Sequence, residues 1–133
     1  MKWVSRALTQ PLALTVCLLS GVFLVLGGLF VAMPVAAATF YGLPTRDPAA
    51  LFYVRAIGFR DLALAAYLLG LVVTGQGRAL STVSILTLII PIGDLLLLAS
   101  SGAGRPGHYL LHGASLLCFA GVALWSHRVA QAR

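Results

Sequence analysis

The chain has 133 residues, of which 60% are hydrophobic and 9% charged, and its formal net charge is +6. A soluble domain carries about 25% charged residues, so this chain has too few to clothe a globular surface in water. The basic residues are scattered, with no Lys/Arg run interleaved with aromatics, which points away from nucleic acid and toward membrane lipid with anionic headgroups as the partner.

Four apolar segments follow in chain order, at about residues 11–38, 51–75, 80–101 and 107–126. Each is near or above the ~20 residues that a helix needs to cross a bilayer. The segments are long, rich in Leu and Ala and without alternation, which argues against strands. The expected fold is all-α, a four-helix transmembrane bundle in antiparallel up-down-up-down order, forming a single integral membrane domain over residues 1–133.

Lys2 and Arg6 precede the first segment and Ala36-Ala37-Ala38 ends it, which resembles a signal peptide. Its apolar stretch exceeds the usual core of about 7–15 residues, so the segment is expected to stay as a helix. Three short linkers follow. In Gly42-Leu43-Pro44-Thr45-Arg46-Asp47-Pro48, Asp47 and Pro48 suit the N-cap and first residue of the second helix. Gly75-Gln76-Gly77-Arg78 and Ser101–Gly107 are the other two. Short linkers make sequential helices antiparallel neighbours.

Lys2, Arg6, Arg78, Arg128 and Arg133 lie on one side of this topology, and only Arg46 and Arg105 on the other. The bias predicts a multi-pass protein of the cell (plasma or inner) membrane with both termini in the cytoplasm, and Trp3 and Trp125 at the inner interface. Gly21, Gly27, Gly28, Gly58, Gly70, Gly113 and Gly121 are candidates for close helix contact. Cys17 and Cys118 match no metal or redox spacing and read as small packing residues.

Two of the three acidic residues, Asp61 and Asp94, sit inside apolar stretches. A charge there costs roughly 2.5–3.5 kcal/mol on insertion scales, so it needs a partner or a task. At about 1.5 Å per residue, Arg55 lies about 6 Å, Arg60 and Asp61 about 15 Å, Asp94 about 10 Å and His112 about 8 Å below the outer helix ends. Tyr41, Tyr53, His108 and Tyr109 fall near the same rim. The polar residues of separate helices thus gather at one level. One account is an ion-pair staple, Arg60 with Asp94 and Arg55 with Asp61. The other is a polar-floored cavity, because ionisable groups within a membrane default to functional candidates.

His108 and His112 share a helix face and, with Asp94, make a thin ligand set without HExxH or a nearby Cys, so no metal is expected. No other cofactor is expected either. Pro91 and Gly93 should bend the third helix just before Asp94, since Pro91 frees the carbonyl of Thr87. Pro34 should do the same near the end of the first.

Phe40-Tyr41-Gly42-Leu43-Pro44 closing the first helix, Arg55 through Arg60-Asp61 in the second, Asp94 in the third and a His in the fourth resemble a family of small four-span membrane proteins of bacteria and fungi. That family is known chiefly as a domain of unknown function. The resemblance spans roughly Leu14 to Trp125 and implies a four-helix bundle without specifying an activity. A looser likeness, of architecture alone, is to four-span proteins of the sterol-isomerase and sigma-receptor type.

Three functions remain open from the residues. In an acid–base isomerase or cyclase acting on a lipophilic small molecule, Asp61 or Asp94 would be the general acid and His112 the base or proton relay. Arg55, Arg60, Tyr41, Tyr53, His108 and Tyr109 would bind and orient the substrate. In a binding or transport protein, Arg55 and Arg60 would clamp a lipophilic anion, and transport would require a homodimer. In a structural subunit, the ion pairs would serve only as glue.

Overall fold

The computed structural model is all-helical and describes residues 11–131, the side chain of residue 130 apart. No strand occurs among the described residues. The topology signals Lys2, Trp3, Arg6 and Arg133 lie outside them.

The first apolar segment forms two helices, α1 (Pro11–Ala32) and α2 (Pro34–Tyr41). The break falls at Met33, with φ −128° and ψ 59°. Pro34 causes it, because proline has no N–H and disfavours helical geometry in the residue before it. The interruption expected at Pro34 is thus a full break, and the helical segment runs on to Tyr41, beyond the expected end at residue 38. The break leaves carbonyls of α1 without helical partners, and the Arg55 Nε donates to one of them, the Val31 oxygen, at 3.3 Å. A cation at a helix C-terminus is favourably placed in the field of the backbone dipoles.

Gly42 closes α2 with φ +105°. Its N–H reaches the Ala38 and Thr39 carbonyls and the Leu43 N–H reaches Ala38, a Schellman-type closure that needs left-handed backbone. The next helix, α3, runs Pro48–Val73, opening at the expected Asp47-Pro48 pair, three residues before the apolar segment begins at Leu51. Asp47 caps it, its carboxylate accepting from the Ala50 N–H at 2.9 Å, with Pro48 in the first turn.

The third apolar segment is likewise two helices, α4 (Gly77–Thr87) and α5 (Ile89–Ser101). At the join, the Leu88 N–H turns back only three residues, to Ile85, at 3.1 Å. Pro91 cannot donate to the Thr87 carbonyl, so the helix tightens one turn upstream. The helix is thus interrupted at Leu88, where the backbone stays right-handed helical, and not immediately before Asp94. The last helix, α6, spans Pro106–Gln131, longer at its end than the expected 107–126.

Helices α1 and α3 form one tight hairpin, and α4–α5 with α6 form the other. Gly27 and Gly58 set the first: a Cβ on either would stand 2.8 Å from the carbonyl oxygen of the other. Backbones approach this closely only where side chains are absent. The remaining glycines expected at helix contacts, Gly21, Gly28, Gly70, Gly113 and Gly121, have open space where a Cβ would go. Val16, Phe23, Leu64, Leu68, Leu80 and Phe119 build the core where the hairpins meet.

The outer faces are as apolar as the core. Val25, Leu110 and Leu117 are each more than 70% exposed. Residues of that kind stay outward when lipid replaces water around the bundle. Four helices, Pro11–Ala32, Pro48–Val73, Gly77–Ser101 and Pro106–Val129, are long and apolar enough to cross a membrane. The molecule is a multi-pass membrane protein.

Candidate functional site

Between the hairpins lies a cavity of about 240 Å³ that draws side chains from all four spans. Its walls are mostly apolar, with Leu19, Phe23, Leu64 and Phe119 among them. The Phe23 and Phe119 rings meet with centroids 5.3 Å apart. Counting about 1.5 Å per helical residue, these rings lie roughly 10 Å or more deeper than His112 and Asp94. The polar groups gather toward the Tyr41 end.

Tyr41 ends α2, Asp94 sits on α5 and His112 on α6, and the three side chains meet. The Tyr41 hydroxyl donates to the Asp94 Oδ1 at 2.6 Å. The His112 Nδ1 faces the other carboxylate oxygen at 3.7 Å. The His112 Nε2 lies 3.0 Å from the Tyr41 backbone carbonyl. A carbonyl only accepts, so Nε2 carries a hydrogen. The tautomer follows: neutral His112 turns the bare lone pair of Nδ1 toward Asp94. At 3.7 Å the two lie within ion-pair reach and beyond hydrogen-bond distance. The rings of Tyr41 and His112 also pack edge to face, with centroids 4.7 Å apart.

The local fold explains this meeting. His108 and His112 are one turn apart on α6 and both address the Tyr41-Gly42 closure of α2. His112 holds the Tyr41 carbonyl, and the His108 ring lies where a Cβ on Gly42 would stand, 2.8 Å away. Gly42 is thus required twice, for its left-handed backbone and for the space it leaves to His108 and Leu98.

Asp61 and Arg60 form the second polar group. Both come from α3 and both line the cavity. Arg60 Nε and Nη2 each donate to the same oxygen of Asp61 at 3.2 Å. Asp61 is buried, while the Arg60 side chain is 38% exposed and keeps part of its guanidinium in open space. The expected staples are corrected here. Arg60 pairs with its chain neighbour and not with Asp94, and Arg55 pairs with a carbonyl of α1 and not with Asp61.

Five of the residues expected at the site, Tyr41, Arg60, Asp61, Asp94 and His112, line this one cavity. The other four do not. Arg55 is exposed, lies 5.9 Å from the Phe52 ring centre and borders a separate groove near Met33 and Pro34. Tyr53 is 76% exposed. His108 accepts from the Arg105 N–H at its own helix start, and Tyr109 packs on Gly104. The two arginines therefore do not converge as an anion clamp, and His108 does not join His112 and Asp94 as a ligand set. The sequence did not single out the lining residues Phe30 and Ala114, and Cys118 reads there only as a small packing residue. Nothing in their apolar surroundings distinguishes them from ordinary lipid-facing or core positions.

The cavity opens sideways. Val22 and Phe40 on the first span, and Ala114 and Cys118 on α6, line it and are also exposed. These positions border the gap between the first and fourth spans, facing the surroundings of the bundle and not its ends.

Fold and site together define a small four-span membrane protein with a mostly apolar cavity and a half-buried Tyr–Asp–His contact. The family described as Domain of unknown function (DUF4267) matches residues 20–126, and the chain belongs to that family. No curated protein and no solved structure matches the chain.

Proposed function

We propose that the cavity takes a lipophilic small molecule from the membrane and that Asp94, His112 and Tyr41 move a proton on it, the chemistry of a cofactor-independent isomerase or cyclase. The observation that supports this most is the contact of carboxylate, imidazole and phenol at one end of an otherwise apolar, sideways-open cavity. Largely apolar pockets with a few convergent polar groups are the usual form of small-molecule sites.

In this scheme a proton delivered by the Asp94–His112 pair passes to one carbon of a substrate double bond. A C–H bond forms, the π bond is consumed and the neighbouring carbon becomes positive. Loss of a different proton back to the same pair leaves the double bond in a new position. Attack by a second double bond before that loss closes a ring. Asp94 and His112 end as they began, so no oxidant or reductant is used. Tyr41 orients Asp94 through its hydroxyl and His112 through its carbonyl. Asp61 is engaged by Arg60, which leaves Asp94 as the acid–base carboxylate.

The test is isotopic. Protein purified with its retained lipophilic molecule is held in D2O and the molecule is extracted for mass spectrometry. Deuterium on carbon with the wild type, and none with Asp94→Asn or His112→Gln, supports the proposal. A retained molecule that never gains deuterium would make this a binding protein. Absence of any retained molecule, with no loss on filling the cavity by Ala114→Trp, would remove the cavity from the function.

A further inference from the structure

We infer that the cavity selects lipophilic molecules bearing a positive charge, and so binds ammonium ions with an apolar tail, the charged head seated beside Asp94. This rests on the reading that the cavity holds a lipophilic molecule and adds the sign of its charge.

A count of charges around Asp94 carries the inference. From α3, Arg60 and Asp61 face the cavity and cancel one another. Arg55 points to the Val31 carbonyl, on a different surface. From α6, His108 is turned to the Arg105 N–H, and His112 gives Asp94 a positive partner only while it holds an extra proton. From α2, Tyr41 contributes a neutral hydroxyl. Among the described residues, Asp94 therefore has no permanent cation, although its side chain is only 13% exposed. A carboxylate drawn largely out of water without a counter-charge is disfavoured. One positive charge completes the site, supplied either by a proton or by a ligand.

The walls agree with that sign. Phe30, Phe40 and Tyr41 line the cavity, and the Phe30 and Tyr41 rings meet edge to face with centroids 6.2 Å apart. Aromatic faces attract cations, and quaternary ammonium groups are bound by such rings elsewhere. The same features favour a carbon that turns positive during proton transfer, so an ammonium ion would mimic the reacting state.

The experiment uses the full chain in phosphatidylcholine nanodiscs, with empty nanodiscs subtracted. Two probes of matched shape are titrated calorimetrically: hexyltrimethylammonium and its uncharged carbon isostere, 2,2-dimethyloctane. The expected result is at least tenfold tighter binding of the cation, with that preference lost in Asp94→Asn and binding of both probes lost in Ala114→Trp. Equal binding of the two probes would overturn the charge preference and leave the cavity reading standing. Binding of neither would overturn both. A cation preference that survives in Asp94→Asn would place the charge recognition elsewhere and overturn the inference. Each variant is first checked for wild-type elution and helicity, and the comparison of the two probes on the wild type decides the matter even where a variant misfolds.

Discussion

Tyr41 and Asp94 stand 53 positions apart in the chain and 2.6 Å apart in the fold, phenol oxygen to carboxylate oxygen. The contact ties the closing turn of α2 to the middle of α5, and so joins the two hairpins at the polar end of the cavity. His112 closes the triangle by gripping the Tyr41 carbonyl from α6.

Tyr41→Phe keeps the ring packing on Phe30 and His112 and removes only the hydroxyl. The expected loss is about 0.5–2 kcal/mol, the range of side-chain hydrogen bonds between membrane helices. Reversible unfolding by SDS titration in mixed micelles measures it. A variant as stable as the wild type would mean that the hydroxyl does not hold Asp94.

Gly27→Ala and Gly58→Ala should each separate α1 from α3, because the new methyl meets backbone and not a yielding side chain. Overpacking of this kind costs about 1–3 kcal/mol. Gly21→Ala and Gly28→Ala have open space and should be nearly neutral. The same titration separates the two pairs, and equal effects across all four would contradict the crossing described.

Gly42→Ala forces a side chain into left-handed backbone, at a cost of about 1–2 kcal/mol. It also drives a methyl into the His108 ring and Leu98. The sum should exceed the loss from Tyr41→Phe, as read from unfolding midpoints. A smaller loss would mean that the turn opens without consequence for the site.

Arg60→Met leaves Asp61 buried without its cation and should destabilise strongly. The pair Arg60→Met with Asp61→Leu should recover much of that loss, since apolar replacement of both partners of a buried ion pair is often neutral or better. Asp61→Leu alone should cost less than Arg60→Met, because the part-exposed guanidinium can turn outward. A double variant worse than Arg60→Met would show a further partner for Asp61.

Much of the fold is legible in the residues because lipid imposes a simple rule: long apolar runs become spans, and Gly and Pro clusters between them become turns. Asp47-Pro48 marks the start of α3 for the same local reason in the sequence and in the structure. The break at Met33 is marked by the proline that follows it, whereas the position of the second is less legible, since packing decides where the turn before Pro91 yields and Leu88 carries no signal of its own. Pairings are harder still. Arg60 and Asp61 point away from each other on an ideal helical wheel, and only the long guanidinium arm lets them meet. Arg55 lies on the α3 face that meets the broken end of α1, a neighbour set by the Gly27–Gly58 crossing and invisible in α3 itself. The Tyr–Asp–His contact depends on the Gly42 closure turning Tyr41 inward, which no spacing of polar residues encodes.

The central claim is that Asp94 and His112, from different spans, act on one another at the cavity. A double-mutant cycle of Asp94→Ala and His112→Ala, read by SDS unfolding, tests it most directly. The account predicts that the double variant loses less than the sum of the single losses, by at least about 0.5 kcal/mol. Losses that simply add would contradict it.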